Sequence, residues 1–297
     1  MKRSRSRIAL VSVVALFATT LAGLTSGAEA HGPKHHDKSK NASVTIYLTR
    51  HGQTILNTLE RVQGWTDSPL VVGTNADGSA LDARILPQTV GKNLRAREGK
   101  MDAVYSADMK RHYETAQNLL KGARQSLKIT QDAGLRELNF GRYEGAENKE
   151  MWSAIVEHMG YTVDHDAAAT APVDASGQNG GWQTMQILAI NEKGLRAMME
   201  AMKEIAEQPQ HGISLPAESC TDLNNRMMPT LNKIAKKAVK ERDKRVLVVS
   251  SGLSITCVLD GLGVDMKTAI SNVAVSKLTY KNGTWTVVTV GDTSYRQ

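Results

Sequence analysis

Short runs of β-branched and apolar residues recur along the chain, and each run predicts a buried strand. The clearest runs lie at residues 44–49, 103–106 and 245–250. A continuous run of this composition is typical of a parallel strand that is covered on both faces. Two more strands are predicted around residues 273–280 and 284–290, joined by a Lys-Asn-Gly turn.

Helical periodicity fills the segments between these strands. One helix is predicted to begin near Pro87, and another follows the second strand with Thr115 on its apolar side. A long helix is predicted to begin at about Ser219. Residues 71–86 contain several Gly, Asn and Asp residues and indicate an inserted loop or hairpin. This alternation of strands and helices predicts an α/β domain over residues 43–297.

Residues 146–216 predict a helical lid. Apolar residues recur at helical spacing over 151–159 and 185–205, and the residues between them, 164–181, predict a loose connection because they are rich in Ala, Asp and Gly. Packing explains the methionines of this region, although a soft apolar surface beside a pocket would also accept varied substrates.

Residues 1–30 predict a cleavable signal peptide. A basic start precedes the apolar stretch 8–24, and Ala28-Glu29-Ala30 has the form of a cleavage site. A membrane-anchoring helix is the alternative, because about 17 apolar residues is the lower limit of a span. The cleavage site favours export, which predicts a secreted or periplasmic protein with no stable membrane anchor after cleavage.

Residues 31–42 predict a polar, His-rich spacer that has too few apolar residues to pack. His31, His35 and His36 offer ligands for a transition metal. A solvated spacer is the favoured interpretation, because no rigid element holds these ligands in place. We therefore predict no metal site here.

The balance of charge suits an anionic ligand. The formal charge of +7 falls to +4 when residues 1–30 are removed, because four basic residues and one glutamate leave with them. No basic patch with interleaved aromatic residues is present, so nucleic-acid binding is not predicted. Cys220 and Cys257 lie in a chain predicted to be exported, where they either form a disulfide or remain two buried thiols.

The strongest candidate for chemistry is the end of the first strand, which reads Arg50-His51-Gly52. The three residues bring together a cation, a nucleophilic ring and a backbone that a ligand can approach closely. A helix is able to start at Gln53, which would add unpaired N–H groups and a positive dipole end. The pattern predicts a site for an anion.

Together with Thr54 and Asn57, this stretch resembles the opening signature of the histidine phosphatase superfamily, also called the phosphoglycerate mutase-like family. The resemblance continues over about residues 43–293. It implies a three-layer α/β/α sandwich with a mixed, mostly parallel sheet and a site at the carboxyl ends of the strands. It also implies that His51 is the nucleophile and that Arg50 binds phosphate.

Later motifs extend the resemblance. Arg111 matches a second phosphate-binding arginine, whose planar guanidinium grips phosphate oxygens in pairs. Glu137 matches the general acid, which apolar walls and the phosphate charge would keep protonated. Glu144 matches a second acidic position that is more often structural. Gln63 lies in a Gln-Gly loop, where it is either a substrate contact or part of an ordinary turn.

One position departs from the family, whose third strand is followed by Ser-His-Gly with a histidine that holds the phosphoryl group. This chain reads Ser250-Ser251-Gly252 there, so Ser251 and Gly252 are expected to contact the substrate instead. His112 fits no motif and is interpreted as structural or exposed. No histidine follows His211, so no neighbouring imidazole is expected to replace the missing one. Loss of one donor costs about 100- to 1,000-fold in rate, and a rise in rate with Ser251→His would confirm that Ser251 occupies the place of the second histidine.

These features predict an exported phosphomonoester hydrolase that forms a phosphohistidine on His51, needs no cofactor and acts on a small phosphorylated substrate. Its activity is predicted to be reduced by Ser251. The alternative is a protein on the same scaffold that binds phosphorylated ligands without turnover. A mutase is less favoured, because the sugar-acid substrates of mutases are intracellular while this chain is predicted to be exported.

Overall fold

The computed structural model describes residues 42–177 and 179–297. The predicted signal peptide and residues 31–41 of the predicted spacer lie outside the described residues. Within the described ranges, no helix is both long and apolar enough to cross a membrane.

A mixed sheet organises the described part of the chain. The strands are β1 (Ser43–Arg50), β2 (Val72–Thr74), β3 (Ala80–Asp82), β4 (Ala103–Ser106), β5 (Ile129–Gln131), β6 (Thr162–Val163), β7 (Asn179–Gly180), β8 (Arg245–Ser250), β9 (Val275–Lys281) and β10 (Thr284–Asp292). Among the described residues, six of them form one sheet in the order β10-β9-β1-β8-β4-β5. β1, β8, β4 and β5 run parallel, while β9 and β10 add an antiparallel edge. The predicted mixed, mostly parallel sheet is confirmed.

Helices cover both faces of this sheet. They are α1 (Ile55–Thr58), α2 (Ile85–Glu98), α3 (Lys110–Gly122), α4 (Asn148–His158), α5 (Trp182–Lys193), α6 (Leu195–Ala206), α7 (Cys220–Glu241) and α8 (Gly252–Gly261). In β1, Ile46 and Leu48 pack into the apolar layer of α7 and α8, whereas Tyr47 between them packs against α2 and α3. In β8, Val246 likewise packs into the layer of α7 and α8, whereas Leu247 packs against α2 and α3. Both faces of the central strands are therefore buried, as their sequence predicts.

The segment between β1 and α2 contains a short hairpin. β2 and β3 pair antiparallel within residues 71–86, and α2 begins at Ile85, two residues before Pro87. This hairpin lies where the sequence indicates an inserted loop or hairpin.

The lid region consists of α4, α5 and α6 with the small β6–β7 pair. The sequence pattern over 185–205 is continuous, but the structure divides it at Gly194, whose φ is 88°. Because this left-handed backbone region favours glycine, one apolar pattern yields two separate helices, α5 and α6. Met198 and Met199 of α6 are completely buried.

Cys220 and Cys257 form a disulfide, with Cα atoms 5.2 Å apart. The bond joins the first residue of α7 to the interior of α8, so it decides the alternative that the sequence left open. Because α8 begins directly after β8, the disulfide also braces the helix that starts at the site described next.

Candidate active site

Three neighbouring parallel strands, β1, β4 and β8, end at the same edge of the sheet. Arg50 pairs with Ser250 in the register of β1 and β8, and Ser106 pairs with Val249 in that of β4 and β8. The residues that follow, among them His51 and Ser251, are therefore brought to one place. Ligands of open α/β sheets bind at such an edge.

His51 presents a neutral ring with a free nucleophilic nitrogen. The ring is 3% exposed, and its Nδ1 lies 2.7 Å from the carbonyl oxygen of Gly52. A carbonyl only accepts hydrogen bonds, so Nδ1 carries the proton and Nε2 keeps its lone pair. Burial lowers the pKa of His51 well below its usual value of 6.5, and the positive charges of Arg111 and Arg50 lower it further. The ring is therefore neutral at pH 7.

Arg50 supplies a partly satisfied cation beside this ring. Its Nη1 donates to the carbonyl oxygen of Ile270 at 2.9 Å, whereas its buried Nε has no partner among the described residues. Gly252 makes room for it, because a Cβ at that position would lie 3.2 Å from both Cδ and Nε of Arg50. A buried guanidinium N–H that lacks an acceptor is costly, and an anion would satisfy it.

Arg111 is completely buried at the start of α3, where its terminal nitrogens hold the preceding loop. Nη2 donates to the carbonyl oxygen of Gly64 at 2.6 Å, and Nη1 donates to the Thr66 carbonyl and the Asp67 carboxylate at 3.1 and 3.0 Å. Burial lowers the pKa of Arg111 and Asp67 raises it, but a guanidinium remains charged. The two terminal nitrogens, which the sequence predicts to bind phosphate oxygens, are thus already hydrogen-bonded to the loop. The buried Nε has no partner among the described residues and is the nitrogen left for an anion.

The carboxylate of Glu144 fixes the same loop. It accepts hydrogen bonds from the backbone N–H groups of Gly64, Trp65 and Thr66 at 3.2, 2.7 and 2.7 Å, and from that of Phe140 at 3.0 Å. This geometry gives Glu144 a structural role, since it holds the loop that in turn holds the Arg111 guanidinium.

Gln63 and Asn57 both line the cavity beside His51, with side chains that also bond to the protein. Gln63 accepts from the hydroxyl of Thr54 at 2.6 Å and donates to that of Ser68 at 3.1 Å. The Asn57 side-chain oxygen accepts from the backbone N–H of Thr54 at 3.3 Å, as part of the capping box of α1. Gln63 therefore braces its turn and forms a wall of the cavity at once.

Glu137 lies in a polar environment rather than between the apolar walls that the sequence suggested. Oε1 accepts from the N–H groups of Leu138 and Ser254 and from the Ser254 hydroxyl, at 2.9, 2.8 and 2.7 Å. Oε2 accepts from the N–H of Leu253 at 3.1 Å. These donors fix both oxygens of the Glu137 carboxyl group at the start of α8. Glu137 also lines the cavity, and Oε2 has a single hydrogen bond among those described.

His112 is the residue that sequence reasoning missed. It is completely buried, its Nε2 lies 2.7 Å from the hydroxyl oxygen of Ser251, and its ring meets the His51 ring edge-on at 5.3 Å. The expectation that no imidazole lies near Ser251 is therefore wrong. Helical spacing held the signal, because His112 precedes the buried Thr115 and Ala116 by three and four residues and so shares their face of α3.

A cavity of about 360 Å³ opens beside His51 and extends under the lid. Its apolar lining comes mainly from α4, α5 and α6 and includes Met151, Trp152, Trp182, Ile190, Met198 and Met199. Polar groups among the lining are Asn148, Gln183 and Gln186, together with the cations Arg61 and Lys267. Over residues 42–177 and 179–297, no group of three His, Cys, Asp or Glu side chains is arranged to hold a metal ion.

Comparison with known proteins agrees with this fold and identifies the family. The family model described as histidine phosphatase superfamily, branch 1, matches residues 46–179 and 177–293. The chain therefore belongs to the histidine phosphatase superfamily. A probable phosphoglycerate mutase, GpmB, of Proteus mirabilis (strain HI4320) is 25% identical over 260 residues, which cover 84% of this chain and 94% of the relative.

Solved structures give the same result. A phosphoglycerate mutase from Bacillus anthracis str. Sterne is 30% identical, with a TM-score of 0.68 and coverage of 87% of this chain and 97% of that one. A phosphoserine phosphatase from Entamoeba histolytica, solved with 3-phosphoglyceric acid, is 17% identical with a TM-score of 0.53, over 86% of this chain and 100% of that one. At that identity the second likeness shows the fold alone.

Proposed function

We propose that this protein is an exported phosphomonoester hydrolase that works through a phosphohistidine on His51. The observation that carries the proposal is the hydrogen bond of 2.7 Å from His51 Nδ1 to the Gly52 carbonyl. This bond leaves Nε2 unprotonated in a buried site. Burial and the positive charges of Arg111 and Arg50 lower the pKa of the ring there and so favour its neutral form. Membership of a superfamily of phosphatases and mutases supports phosphoryl transfer as the class of reaction.

In the first step, the Nε2 lone pair of His51 attacks phosphorus and the bond from phosphorus to the ester oxygen breaks. The buried, unpartnered Nε groups of Arg50 and Arg111 donate to phosphoryl oxygens, where charge is held in the transition state. Glu137 delivers a proton to the departing oxygen through Oε2, the less engaged of its two oxygens.

In the second step, water attacks the phosphohistidine. Glu137, now ionised, accepts a proton from that water, and the nitrogen–phosphorus bond breaks to give inorganic phosphate and the neutral His51 ring. The hydrogen bonds from Leu253 and Ser254 hold the Glu137 side chain in position for both proton transfers. The cycle returns every group to its starting state.

The cavity favours an ester whose organic part is largely apolar or aromatic. Trp152, Trp182 and the methionines of the lid form its walls, while Arg61 and Lys267 at its margin already pair with Glu147 and Asp265. A small, highly charged sugar acid would find few unpaired cations there. We therefore expect aryl phosphates to be better substrates than 3-phosphoglycerate.

Two alternatives remain distinct from hydrolysis. The names of the relatives suggest a phosphoglycerate mutase, which would interconvert phosphoglycerates without net release of phosphate. The absence of a histidine at Ser251 suggests a binding protein that holds a phosphorylated ligand without turnover. Both make predictions that differ from those of a phosphatase.

The test is p-nitrophenyl phosphate turnover by the mature chain and by its His51→Ala variant, with phosphoglycerate interconversion measured alongside. We expect turnover by the wild type that the variant lacks. Turnover equal to the His51→Ala background rejects the phosphatase, and tight binding of inorganic phosphate by calorimetry would then support the binding protein. Interconversion that is faster than hydrolysis would support the mutase.

Export is tested separately. The chain expressed with residues 1–30 should be recovered outside the cytoplasm and should begin at about His31 after cleavage, as read by N-terminal mass spectrometry. A full-length chain that stays in the cytoplasm would reject export and leave the chemistry of His51 unaffected.

A further inference from the structure

His112 brings a second imidazole to the site from an element unrelated to β8. Its Nε2 is 2.7 Å from the Ser251 hydroxyl, and its ring stands perpendicular to that of His51 with centroids 5.3 Å apart. Ser251 follows Ser250, which pairs with Arg50 in the sheet. The His112–Ser251 pair therefore adjoins both the proposed nucleophile and its flanking cation.

The Ser251 hydroxyl is available for this contact because another residue caps the helix. Ser251 is the N-cap of α8, but its side chain makes no capping hydrogen bond. A serine at that position normally accepts from the second or third N–H of the helix. Here the Glu137 carboxylate accepts from both, namely those of Leu253 and Ser254. The hydroxyl is thereby released to bond with His112.

The surroundings assign the proton of His112 to Nε2. Nδ1 is buried and has no partner among the described residues. A proton on Nδ1 would leave a buried donor without an acceptor, whereas a proton on Nε2 has an acceptor in Ser251 Oγ at 2.7 Å. Nε2–H therefore donates to Ser251 Oγ, and the Ser251 hydroxyl keeps its own proton for another acceptor.

We propose that His112 and Ser251 form a two-residue donor in place of a single imidazole. The Nε2–H of His112 polarises the Ser251 hydroxyl, which donates to an oxygen of the phosphoryl group being transferred to and from His51. No proton is transferred between groups, and no covalent bond to either residue forms. The inference rests on the proposed function and deepens it, with Ser251 touching the phosphoryl group and His112 acting as a positioning residue behind it.

A packing role alone does not account for this arrangement. A completely buried imidazole with one unpartnered nitrogen, placed beside Arg111, is less favourable than an apolar side chain of similar volume would be. Structures retain such a group where it supports a site.

The first test compares two amides at residue 112. The side-chain nitrogen of a glutamine reaches the position of Nε2, whereas that of an asparagine does not. We expect His112→Gln to keep kcat for p-nitrophenyl phosphate within about 10-fold of the wild type and His112→Asn to lose about 100-fold, with KM little changed in both. Thermal melting of both variants verifies folding. Equal kcat values for folded Gln and Asn variants overturn the proposal.

The second test uses Ser251→Ala alone and combined with His112→Asn. Because His112 acts through Ser251, the double variant should be no slower than Ser251→Ala. Losses that multiply would show that the two residues act independently, which overturns the proposal.

The third test moves the imidazole. Ser251→His alone should not raise kcat, because the His112 ring already lies against that position. Ser251→His combined with His112→Ala should be at least about 10-fold faster than His112→Ala alone. A gain from Ser251→His with His112 present, or no gain from the combination, overturns the proposal.

Failure of the proposed function is distinguishable from failure of this inference. If the wild type does not turn over above the His51→Ala background, the same variants are compared by calorimetry with inorganic phosphate. The two-residue donor then predicts about 10-fold weaker binding for His112→Asn and near wild-type binding for His112→Gln. Equal affinities overturn it.

Discussion

The guanidinium of Arg111 lies 3.0 Å from the carboxylate of Asp67, and this pair ties the loop of residues 63–68 to the start of α3. The second oxygen of Asp67 accepts the backbone N–H of Lys110 at 2.5 Å. One carboxylate thus caps the helix and fixes the cation that the proposed reaction needs. The position of Arg111 depends on a residue 44 positions earlier in the chain.

Substitution of Asp67 should lower both stability and substrate affinity. Asp67→Asn removes the charge partner of a completely buried guanidinium, although two carbonyl acceptors remain. We expect the free energy of unfolding to fall by about 1–3 kcal/mol and KM for a phosphomonoester to rise. Asp82→Asn is the matched control, since Asp82 pairs with the exposed Arg84 away from the cavity lining. Equal effects of the two substitutions would contradict this role of Asp67.

Gly252 should tolerate no side chain without loss of phosphate affinity. In Gly252→Ala the new Cβ would lie 3.2 Å from Cδ and Nε of Arg50 and must displace that side chain. We expect KM to rise about 10-fold with little change in melting temperature. Gly73→Ala provides the control, because a Cβ there meets nothing within 4 Å. An unchanged KM in Gly252→Ala would show that Arg50 does not bind the substrate.

The stability of the protein should fall as the pH falls through about 6.5. Burial lowers the pKa of His51 and of His112 well below 6.5, and neighbouring cations lower both further. In this window the unfolded chain binds protons that the folded chain does not, so the free energy of unfolding decreases by up to about 1.4 kcal/mol per pH unit for each histidine. Urea unfolding between about pH 7 and pH 5 measures the slope.

The variant His112→Gln supplies the control for that slope. It removes one of the two buried imidazoles and should reduce the pH dependence of unfolding by about half. A slope identical to that of the wild type would show that His112 is not held neutral in the folded state.

The disulfide should contribute substantially to stability. It closes a segment with a sequence separation of 37 residues between α7 and α8. Replacement of both Cys220 and Cys257 by Ala should lower the free energy of unfolding by about 2–4 kcal/mol. The addition of a reductant should lower the melting temperature of the wild type and leave that of the double variant unchanged. A reductant effect on both proteins would assign the loss to another cause.

Local patterns predicted much of the fold and the positions at the strand ends. The apolar runs identify β1, β4 and β8. Arg50, the last residue of β1, and His51, which follows it, lie at the sheet edge where the sequence predicts them. These features depend on neighbours in the chain, which is why they are visible in sequence. The division at Gly194 was not predicted, because a single glycine leaves the helical spacing of the apolar residues around it unchanged.

Contacts between distant segments were harder to predict. His112 and Ser251 are 139 residues apart, and neither position alone reveals the other. The environment of Glu137 was also misjudged, because two of its three backbone N–H donors, those of Leu253 and Ser254, belong to α8, more than 100 residues later. The sequence identifies such side chains as candidates, while their hydrogen bonds depend on how the strands and helices assemble.

The proposed reaction bonds phosphorus to His51. The direct measurement is a rapid quench of the protein without residues 1–30 with a ³²P-labelled phosphomonoester, followed by trypsin digestion and peptide mass spectrometry. Cleavage after Arg50 and Arg111 places His51 and His112 in different peptides. We predict an acid-labile, base-stable label on the peptide that begins at His51, and its loss in His51→Ala. A label on the peptide that begins at His112, or release of phosphate while no peptide is labelled, would contradict a phosphohistidine on His51.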